Sequence, residues 1–524
     1  MKGHPKGLIA AALSNMGERF GYYIMNAAMT LFLCSKFGLD DSVAGTIYAV
    51  FLFLIYVLSL PGGIIADRTQ NYKTTILSGL LVMALGYAML AIPTTLADDN
   101  SNLMMLLVFT CFALVVIAFG NGLFKGNLQA IVGQMYDNFE AEAAKKGPEA
   151  LAEAKTKRDP GFQIFYVFIN IGGVIAPFVV PAFRNWILGM SNMVYNAKLP
   201  ALCHKFLDKA AMEPQEMADL NSLMLANNHD FVQGADLAQA CTNYLDVFNT
   251  GIHYSFIASI AAMLISLLIF VCTKKMMPTP AKKVKSDNTD VAVQYTAEEK
   301  AAMAKDIRQR MMGLYAVLGI CVFFWMSFHQ NAESLSFFAR DFIKTDVIAP
   351  EIMQCVNPGL VILLTPLIMW IFGTSWGKKI STPRKIAVGM GIAACAYLFL
   401  LIFSAIMGYP SGDAFDKMPE TNRIAIRGGV WVMFVTYFFL TVAELFISPL
   451  GLSFVSKIAP KHIQGVCQGL WLSATAVGNL LILLGAIFYS KLDLWLCWLI
   501  FFAICIVAMI VMFSLLKWLE RITK

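Results

Sequence analysis

Residues 106–120 read LLVFTCFALVVIAFG, an apolar run within a longer one that extends from about 103 to 127. A membrane-barrel strand alternates apolar and polar residues, but this run is continuous, so it predicts a helix that crosses a bilayer. Of the 524 residues, 58% are hydrophobic and only 14% are charged. A soluble domain carries about a quarter charged residues. The mean hydropathy of +0.65 indicates that lipid is the main solvent, where only helices or closed barrels satisfy the backbone.

Further runs of about 20 apolar residues predict an all-α membrane protein of about twelve helices. They lie near 7–33, 43–66, 74–94, 103–127, 161–182, 251–273, 312–337, 351–374, 386–407, 428–455, 464–489 and 493–517. A polar loop separates the first six helices from the last six, and its latter part, from Thr296, predicts a capped amphipathic helix. Two bundles of six helices are the layout of the major facilitator fold.

The expected organisation has five parts. They are helices one to five of an N-terminal bundle at 1–182, an external insertion at 183–250, helix six at 251–273, a cytoplasmic linker at 274–311 and a C-terminal bundle at 312–524. On the linker side of the membrane we count 27 Lys and Arg residues, against 11 on the other side and two within it. This bias predicts that both termini are cytoplasmic.

The chain has eleven cysteines, and most lie in apolar runs, where they are small buried residues. Cys203 and Cys241 differ, because both lie in the external insertion. The sequence leaves open whether they form a disulfide in an oxidising compartment.

Four of the predicted helices carry polar residues at intervals of mostly three or four, which places them on one helix face. They are Asn15, Glu18, Arg19, Tyr22 and Asn26 in helix one, Asn121, Lys125 and Gln129 in helix four, Trp325, His329 and Glu333 in helix seven, and Tyr437, Thr441, Glu444 and Ser448 in helix ten. One such residue could simply join two helices by a hydrogen bond. Four stripes with both signs of charge predict a polar central cavity.

The sequence segments that contain these polar residues resemble motifs of the proton-dependent oligopeptide transporter family of the major facilitator superfamily. The more specific strings are FYVFINIGG from Phe165 and AELFISPLGLSFVSKIAP from Ala443. The others are ERFGYY from Glu18, GGIIADRTQNYKT from Gly62, GNGLFKGN from Gly120, FFWMSFHQ from Phe323 and NPG from Asn357. They follow the family's order across nearly the whole chain.

The resemblance implies a secondary active transporter that imports di- and tripeptides by alternating access. It implies peptide-binding roles for Tyr22, Tyr23, Tyr56, Lys125, Asn170, Asn357, Glu444 and Trp471, to which the polar stripes add Arg19, Asn26 and Ser448. Lys125 or Arg19 would bind the peptide carboxylate, and Glu444 the amine. Lys125 and Glu444 come from opposite halves, so they are also expected to pair when the inner gate closes.

Three positions depart from the family pattern. Asn15 replaces the first glutamate of the helix-one motif, Asn26 replaces an arginine, and His329 replaces the acid after the Phe-Trp pair. That arginine and that acid can pair in the family, and the acid is tied to proton movement. Glu18, His329 and Glu444 are therefore the candidates for an altered proton-coupling site, while a purely structural role for His329 stays open.

Other classes of protein fit the sequence less well. GTSWGKK from Gly373 lacks the spacing and the final Ser or Thr of a phosphate-binding loop, and no His-Glu-x-x-His metal motif occurs. We therefore predict no enzyme activity, no cofactor, no metal site and no nucleic-acid partner. The expected partners are a peptide, protons and the lipid of a cell membrane, the bacterial inner membrane, around a monomer. A transporter-like sensor and an uncoupled peptide facilitator or exchanger remain as alternatives.

Overall fold

The computed structural model describes residues 3–95, 101–196, 198–278, 297–344 and 350–523, and within these ranges it is all-α, as predicted. The first half contains α1 (Leu8–Phe37), α2 (Asp41–Val57), α3 (Ser59–Thr69), α4 (Tyr72–Ala91), α5 (Leu103–Ala144), α6 (Pro148–Lys155), α7 (Arg158–Ile175), α8 (Val179–Met190), α9 (Leu199–Leu207), α10 (Pro214–Asn227) and α11 (Leu237–Thr273). The second half contains α12 (Ala297–Phe328), α13 (Ser334–Phe342), α14 (Pro350–Gly373), α15 (Thr382–Met407), α16 (Gly412–Asp416), α17 (Glu420–Ala425), α18 (Trp431–Ile458), α19 (Gln464–Leu480), α20 (Ile482–Lys491), α21 (Leu494–Ser514) and α22 (Leu516–Ile522).

Eleven helical segments in the described ranges are long and apolar enough to cross a membrane. The remaining long helix is α1, whose 30 residues also exceed the span of a bilayer at 1.5 Å per residue. It is less apolar because it carries the polar stripe from Asn15 to Asn26. Both Glu18 and Arg19 are buried, which agrees with the prediction that this stripe faces the protein interior.

Several helix boundaries differ from those expected. The predicted helix 43–66 is divided at Leu58 into α2 and α3, and the predicted helix 464–489 is divided at Leu481 into α19 and α20. Helix six is not confined to 251–273, because α11 begins at Leu237 inside the insertion. Its first turns bury Cys241, Tyr244 and Phe248, which recur at helical spacing. The segment as a whole is too polar to resemble a membrane span, so the apolar pattern did not include it.

The linker also differs from the expectation. Thr296, the expected helix cap, lies outside the described residues. The helix that follows does not end before the membrane, because α12 runs without interruption from Ala297 to Phe328. The amphipathic segment and the seventh membrane helix are thus one continuous helix.

The helices form two bundles, and both ends of the chain lie on one side of them. In the first half α1 packs against α11 and α7, and in the second half α15 packs against α18 and α21. His4 hydrogen-bonds the Tyr136 hydroxyl over 2.7 Å, and Gly313 lies beside Ile522. We call this side, which also carries the linker, the terminal face, and the side that carries α9 and α10 the insertion face.

The two halves touch closely near the terminal face. A Cβ added to Gly63 of α3 would lie 2.3 Å from the carbonyl oxygen of Gly465 at the start of α19, so only glycine permits this approach. Beside it, the Asp67 carboxylate accepts hydrogen bonds from the amides of Gly465 (3.0 Å) and Val466 (2.7 Å). A carboxylate at a helix N-terminus is stabilised by the unpaired amides and the helix dipole.

A second contact between the halves surrounds Asp159 at the start of α7. Its carboxylate accepts hydrogen bonds from Ser453 (2.6 Å), Thr382 (3.0 Å) and the Lys457 ammonium (2.6 Å), and it lies 3.5 Å from the Lys385 ammonium. We call these five residues the terminal-face latch. One buried acid of the first half is thereby shared by two cations of the second half.

In the insertion, Cys203 of α9 and Cys241 of α11 are both buried and are free thiols in the structure. A hydrogen bond between the two side chains, together with burial, raises the pKa of Cys203.

We expect protein from an oxidising compartment to yield a linked peptide pair in non-reducing mass spectrometry, because the two thiols are already adjacent. Cys203→Ser should leave Cys241 open to alkylation, and two freely alkylated thiols in the wild type would contradict the disulfide.

Candidate substrate-binding site

A cavity of about 380 Å³ lies between the halves, formed by α1, α2, α5 and α7 on one side and α12, α14, α18 and α19 on the other. The contacts made by Asp67 and Asp159 lie on its terminal-face side. All residues predicted to bind the substrate line the cavity, namely Arg19, Tyr22, Tyr23, Asn26, Tyr56, Lys125, Asn170, Asn357, Glu444, Ser448 and Trp471. Their roles in binding stay predictions, but the structure brings them together around one space.

Glu18 and Arg19 form a buried ion pair on the wall of the cavity. The Arg19 guanidinium donates to both carboxylate oxygens of Glu18 over 2.5 Å, and the Asn121 amide donates to the same carboxylate over 2.5 Å. The other side of the guanidinium lies 4.4 Å from the ring centroid of Tyr22. Arg19 lines the cavity but Glu18 does not. The carboxylate therefore partly neutralises the guanidinium from the side that lies away from the cavity.

Lys125 presents a positive charge to the cavity. Its ammonium lies 4.0 Å from the ring centroid of Tyr56, which is a favourable cation–π distance. In the part of the chain that the structure describes, no carboxylate lies within ion-pair distance of it, as the ion pairs found there show. The side chain is 7% exposed, so a ligand carboxylate would meet a poorly hydrated cation.

Glu444 presents the opposite charge from the other half. Its carboxylate accepts a hydrogen bond from the Asn357 amide over 2.8 Å and a second one from the Tyr166 hydroxyl. Asn357 also donates to the Thr441 hydroxyl over 3.0 Å. These bonds fix the carboxylate without neutralising it, since amide and hydroxyl donors bring no charge.

The expected ion pair between Lys125 and Glu444 is not formed here, although the halves are in contact at the terminal face. The Glu444 carboxylate is held by Asn357 and Tyr166, and the Lys125 ammonium lies over Tyr56. The pairing of Lys125 with Glu444 on closure of the inner gate therefore stays a prediction, which this structure does not show. The two charges are instead kept apart on facing walls of the cavity.

Comparison with known proteins identifies the family. The family model described as the POT family matches residues 73–297 and 279–494, which is more than half of the chain. The chain belongs to the POT family. The resemblance found in the sequence motifs is thus confirmed.

Curated relatives from bacteria match over most of their length. The dipeptide and tripeptide permease A of Proteus mirabilis is 26% identical over 478 residues, which cover 88% of this chain and 82% of that protein. The peptide transporter YePEPT of Yersinia enterocolitica is 26% identical over 497 residues, which cover 91% and 86%. These relatives are transporters.

Solved structures of POT transporters share the fold. A POT family transporter in complex with 5-aminolevulinic acid aligns with a TM-score of 0.59 at 20% identity and covers 100% of this chain and 98% of that chain. A peptide transporter in complex with alafosfalin aligns with a TM-score of 0.58, again at 20% identity, over 100% and 96% of the two chains. The major facilitator architecture predicted from the two sets of helices is thereby confirmed.

His329, which departs from the POT pattern, lies at a break in the helix. The predicted helix 312–337 ends at Phe328, and His329 begins a 3₁₀ turn. Its ring stacks on Trp325 with centroids 5.2 Å apart and planes at 19°, and it lines the cavity. Its Nδ1 is buried and has no hydrogen-bond partner among the described residues.

The expected stripe through helix seven is correct only as far as His329. Glu333 does not continue it, because the 3₁₀ turn has three residues per turn and rotates the following residue off the helical face. The backbone at Glu333 is already non-helical, with φ −130° and ψ −87°, and Glu333 is not among the residues that line the cavity.

Sequence reasoning missed two tyrosines that orient residues of the site. Tyr166 donates to Glu444, and Tyr48 donates to the Asn26 side chain. Both could have been found from helical spacing, because Tyr166 precedes Asn170 by four residues and Tyr48 precedes Tyr56 by eight. Each therefore lies on the same helix face as a residue that the motifs had already indicated.

Proposed function

We propose that the protein is a secondary active transporter that imports di- and tripeptides across the bacterial inner membrane by alternating access. The observation that carries this proposal is the cavity with Lys125 on one half and Glu444 on the other, two opposite charges that are not paired with each other. A short peptide is a zwitterion with a charge at each end. The names of the relatives, dipeptide and tripeptide permease and peptide transporter, support the same substrate class.

In this proposal the peptide lies across the two halves. Its carboxylate binds the Lys125 ammonium, with Arg19 nearby, and its amine binds the Glu444 carboxylate. Asn170 and Asn357 provide amide groups for the peptide bond. The aromatic residues Tyr22, Tyr23, Tyr56 and Trp471 form walls that accept many side chains, because large rings contribute contact area without demanding one shape.

The transport cycle uses the terminal face as the inner gate. The Lys and Arg bias of the sequence favours placing this face in the cytoplasm. With the inner gate closed through Asp67 and the terminal-face latch, the peptide enters from the insertion face. Because the peptide binds both halves, its occupancy changes the relative stability of the two gate states, which is what alternating access requires.

We further propose that protons drive uptake through Glu18, His329 and Glu444. His329 occupies the position of the family's proton-linked acid and lines the cavity, and its buried Nδ1 has no hydrogen-bond partner among the described residues. A histidine is neutral when deprotonated and cationic when protonated, the opposite charge cycle to a carboxylate. A protonated His329 would repel the cations Arg19 and Lys125 across the cavity and favour a different gate state.

Uptake of a dipeptide into proteoliposomes should therefore increase with an inward proton gradient, and His329→Gln should remove that response. Exchange of labelled for unlabelled peptide should persist in His329→Gln, because exchange needs no net proton transfer. His229→Gln, at an exposed histidine of the insertion, is the matched control and should keep the wild-type response. If wild-type uptake ignores the gradient and His329→Gln matches it, the histidine is structural and the protein is an uncoupled facilitator or exchanger.

A further inference from the structure

A second cavity, of about 520 Å³, opens on the terminal face between the two halves. On the first half it is lined by the last turns of α5, the end of α6 and the start of α7. On the second half it is lined by α12, α14, α15, α18 and the segment before α15. It is separate from the peptide cavity, because no residue lines both. The proposed peptide-transport role assigns it no function.

The charges around this cavity do not balance. Six basic side chains line it, against three acidic ones. Each acid already has basic partners: Arg158 lies 2.6 Å from Asp137 and 2.9 Å from Glu140, and Asp159 is held by the two lysines of the terminal-face latch. These three acids and their three basic partners sum to zero charge, so the positive excess remains with the other three cations that line the cavity.

Two of these remaining cations line the cavity from opposite halves of the chain. Lys155 belongs to the first half and Lys378 to the second, and both line the cavity and are exposed. Among the residues that the structure describes, neither forms an ion pair. Two hydrated ammonium groups at the mouth of a basic cavity form a receptor for an anion with several oxygen acceptors.

We propose that this cavity binds a phosphate-bearing anion that bridges Lys155 and Lys378 and holds the two halves together at the terminal face. Basic pockets between membrane helices on the cytoplasmic side are suited to anionic lipid headgroups, given the orientation proposed above. A soluble phosphate compound offers the same chemistry. Because such a ligand contacts both halves only while they are close, it stabilises the closed inner gate and slows its opening.

The test is anion binding to the purified full-length protein, measured by native mass spectrometry with two probes, phosphatidylglycerol and inorganic pyrophosphate. The variant K155Q/K378Q removes both bridging cations. The matched control K146Q/K379Q removes the same charge from two exposed lysines. Lys146 lies in the turn before α6 and Lys379 lies next to Lys378, and neither lines the cavity. Peptide transport does not enter the measurement, so its outcome is independent of the proposed function.

We expect K155Q/K378Q to bind roughly 25-fold more weakly than the wild type, since each ammonium near an anionic group contributes a factor of about five, and K146Q/K379Q to bind like the wild type. Specific binding of phosphatidylglycerol alone would identify a lipid headgroup as the ligand, and binding of pyrophosphate would identify a soluble anion. Equal affinity in the two double variants, or binding of neither probe, would overturn the proposal.

Discussion

Lys125→Ala and Glu444→Ala should each reduce dipeptide uptake by about 30-fold or more. Each variant removes the protein charge that is proposed to bind one end of the peptide. Loss of one partner of such a desolvated charge pair costs about 2–5 kcal/mol of binding free energy. Uptake into proteoliposomes measures the effect, and thermal unfolding checks that the variants remain folded. Because Glu444 also accepts hydrogen bonds from Asn357 and Tyr166, Glu444→Gln is the more conservative variant, since it keeps an acceptor and removes only the charge.

Modified peptides test which charge binds which end. Amidation of the peptide carboxylate should weaken binding to the wild type strongly and binding to Lys125→Ala very little, because the variant has already lost that contact. Acetylation of the amine should give the same pattern with Glu444→Gln. These are double-mutant cycles in which one partner lies on the ligand. Equal losses in the wild type and in Lys125→Ala would refute the carboxylate role of Lys125.

Asp159→Asn should shift the gate equilibrium away from the closed terminal face by about two to three orders of magnitude. The substitution leaves Lys385 and Lys457 facing each other without their shared carboxylate, and unpaired buried charge costs about 3–5 kcal/mol. That cost applies only while the halves are closed, because separated lysines are hydrated. Fluorescent labels at Lys146→Cys and Lys379→Cys, one on each half, should lie farther apart in Asp159→Asn than in the parent protein.

Two features make this experiment specific. The exposed native cysteines Cys272 and Cys395 and the partly exposed Cys34, Cys111 and Cys355 are replaced first, so that labelling is directed to the introduced pair. Glu142→Gln is the matched control, because it breaks the exposed pair between Glu142 and Lys145 on the same face, within one half. If Asp159→Asn gives the same label distance as Glu142→Gln, the latch does not hold the gate.

Much of the architecture could be predicted because the membrane restricts the chain so strongly. Backbone groups in lipid must be satisfied within helices, so the apolar runs locate most of the spans directly. The cost of burying ionisable groups in the membrane made the stripes around Arg19, Lys125 and Glu444 a reliable indication of the central cavity. α1 was found among the same apolar runs, although its polar stripe lowers its hydropathy.

The features that could not be predicted depend on contacts between distant parts of the chain or on local departures from helical geometry. Asp159 bonds Lys457 across 298 positions of sequence, and no local pattern indicates that partner. The Lys125–Glu444 ion pair was expected from the opposite charges alone. In the structure the Glu444 carboxylate instead accepts hydrogen bonds from Tyr166 and Asn357. The end of α12 at Phe328 was missed because His329 and Glu333 continue the four-residue spacing of Trp325, although the chain leaves the helical conformation there.

In the proposed function, the cavity between the halves binds a peptide by its two charged ends and the protein carries it across the membrane. The most direct test is uptake of a radiolabelled dipeptide into proteoliposomes that contain the wild type, Lys125→Ala or Glu444→Gln. We predict saturable uptake by the wild type that unlabelled dipeptide suppresses, and near-background uptake by both variants. Binding without uptake by the wild type would identify a sensor, and undiminished uptake by Lys125→Ala and Glu444→Gln would contradict the proposed site.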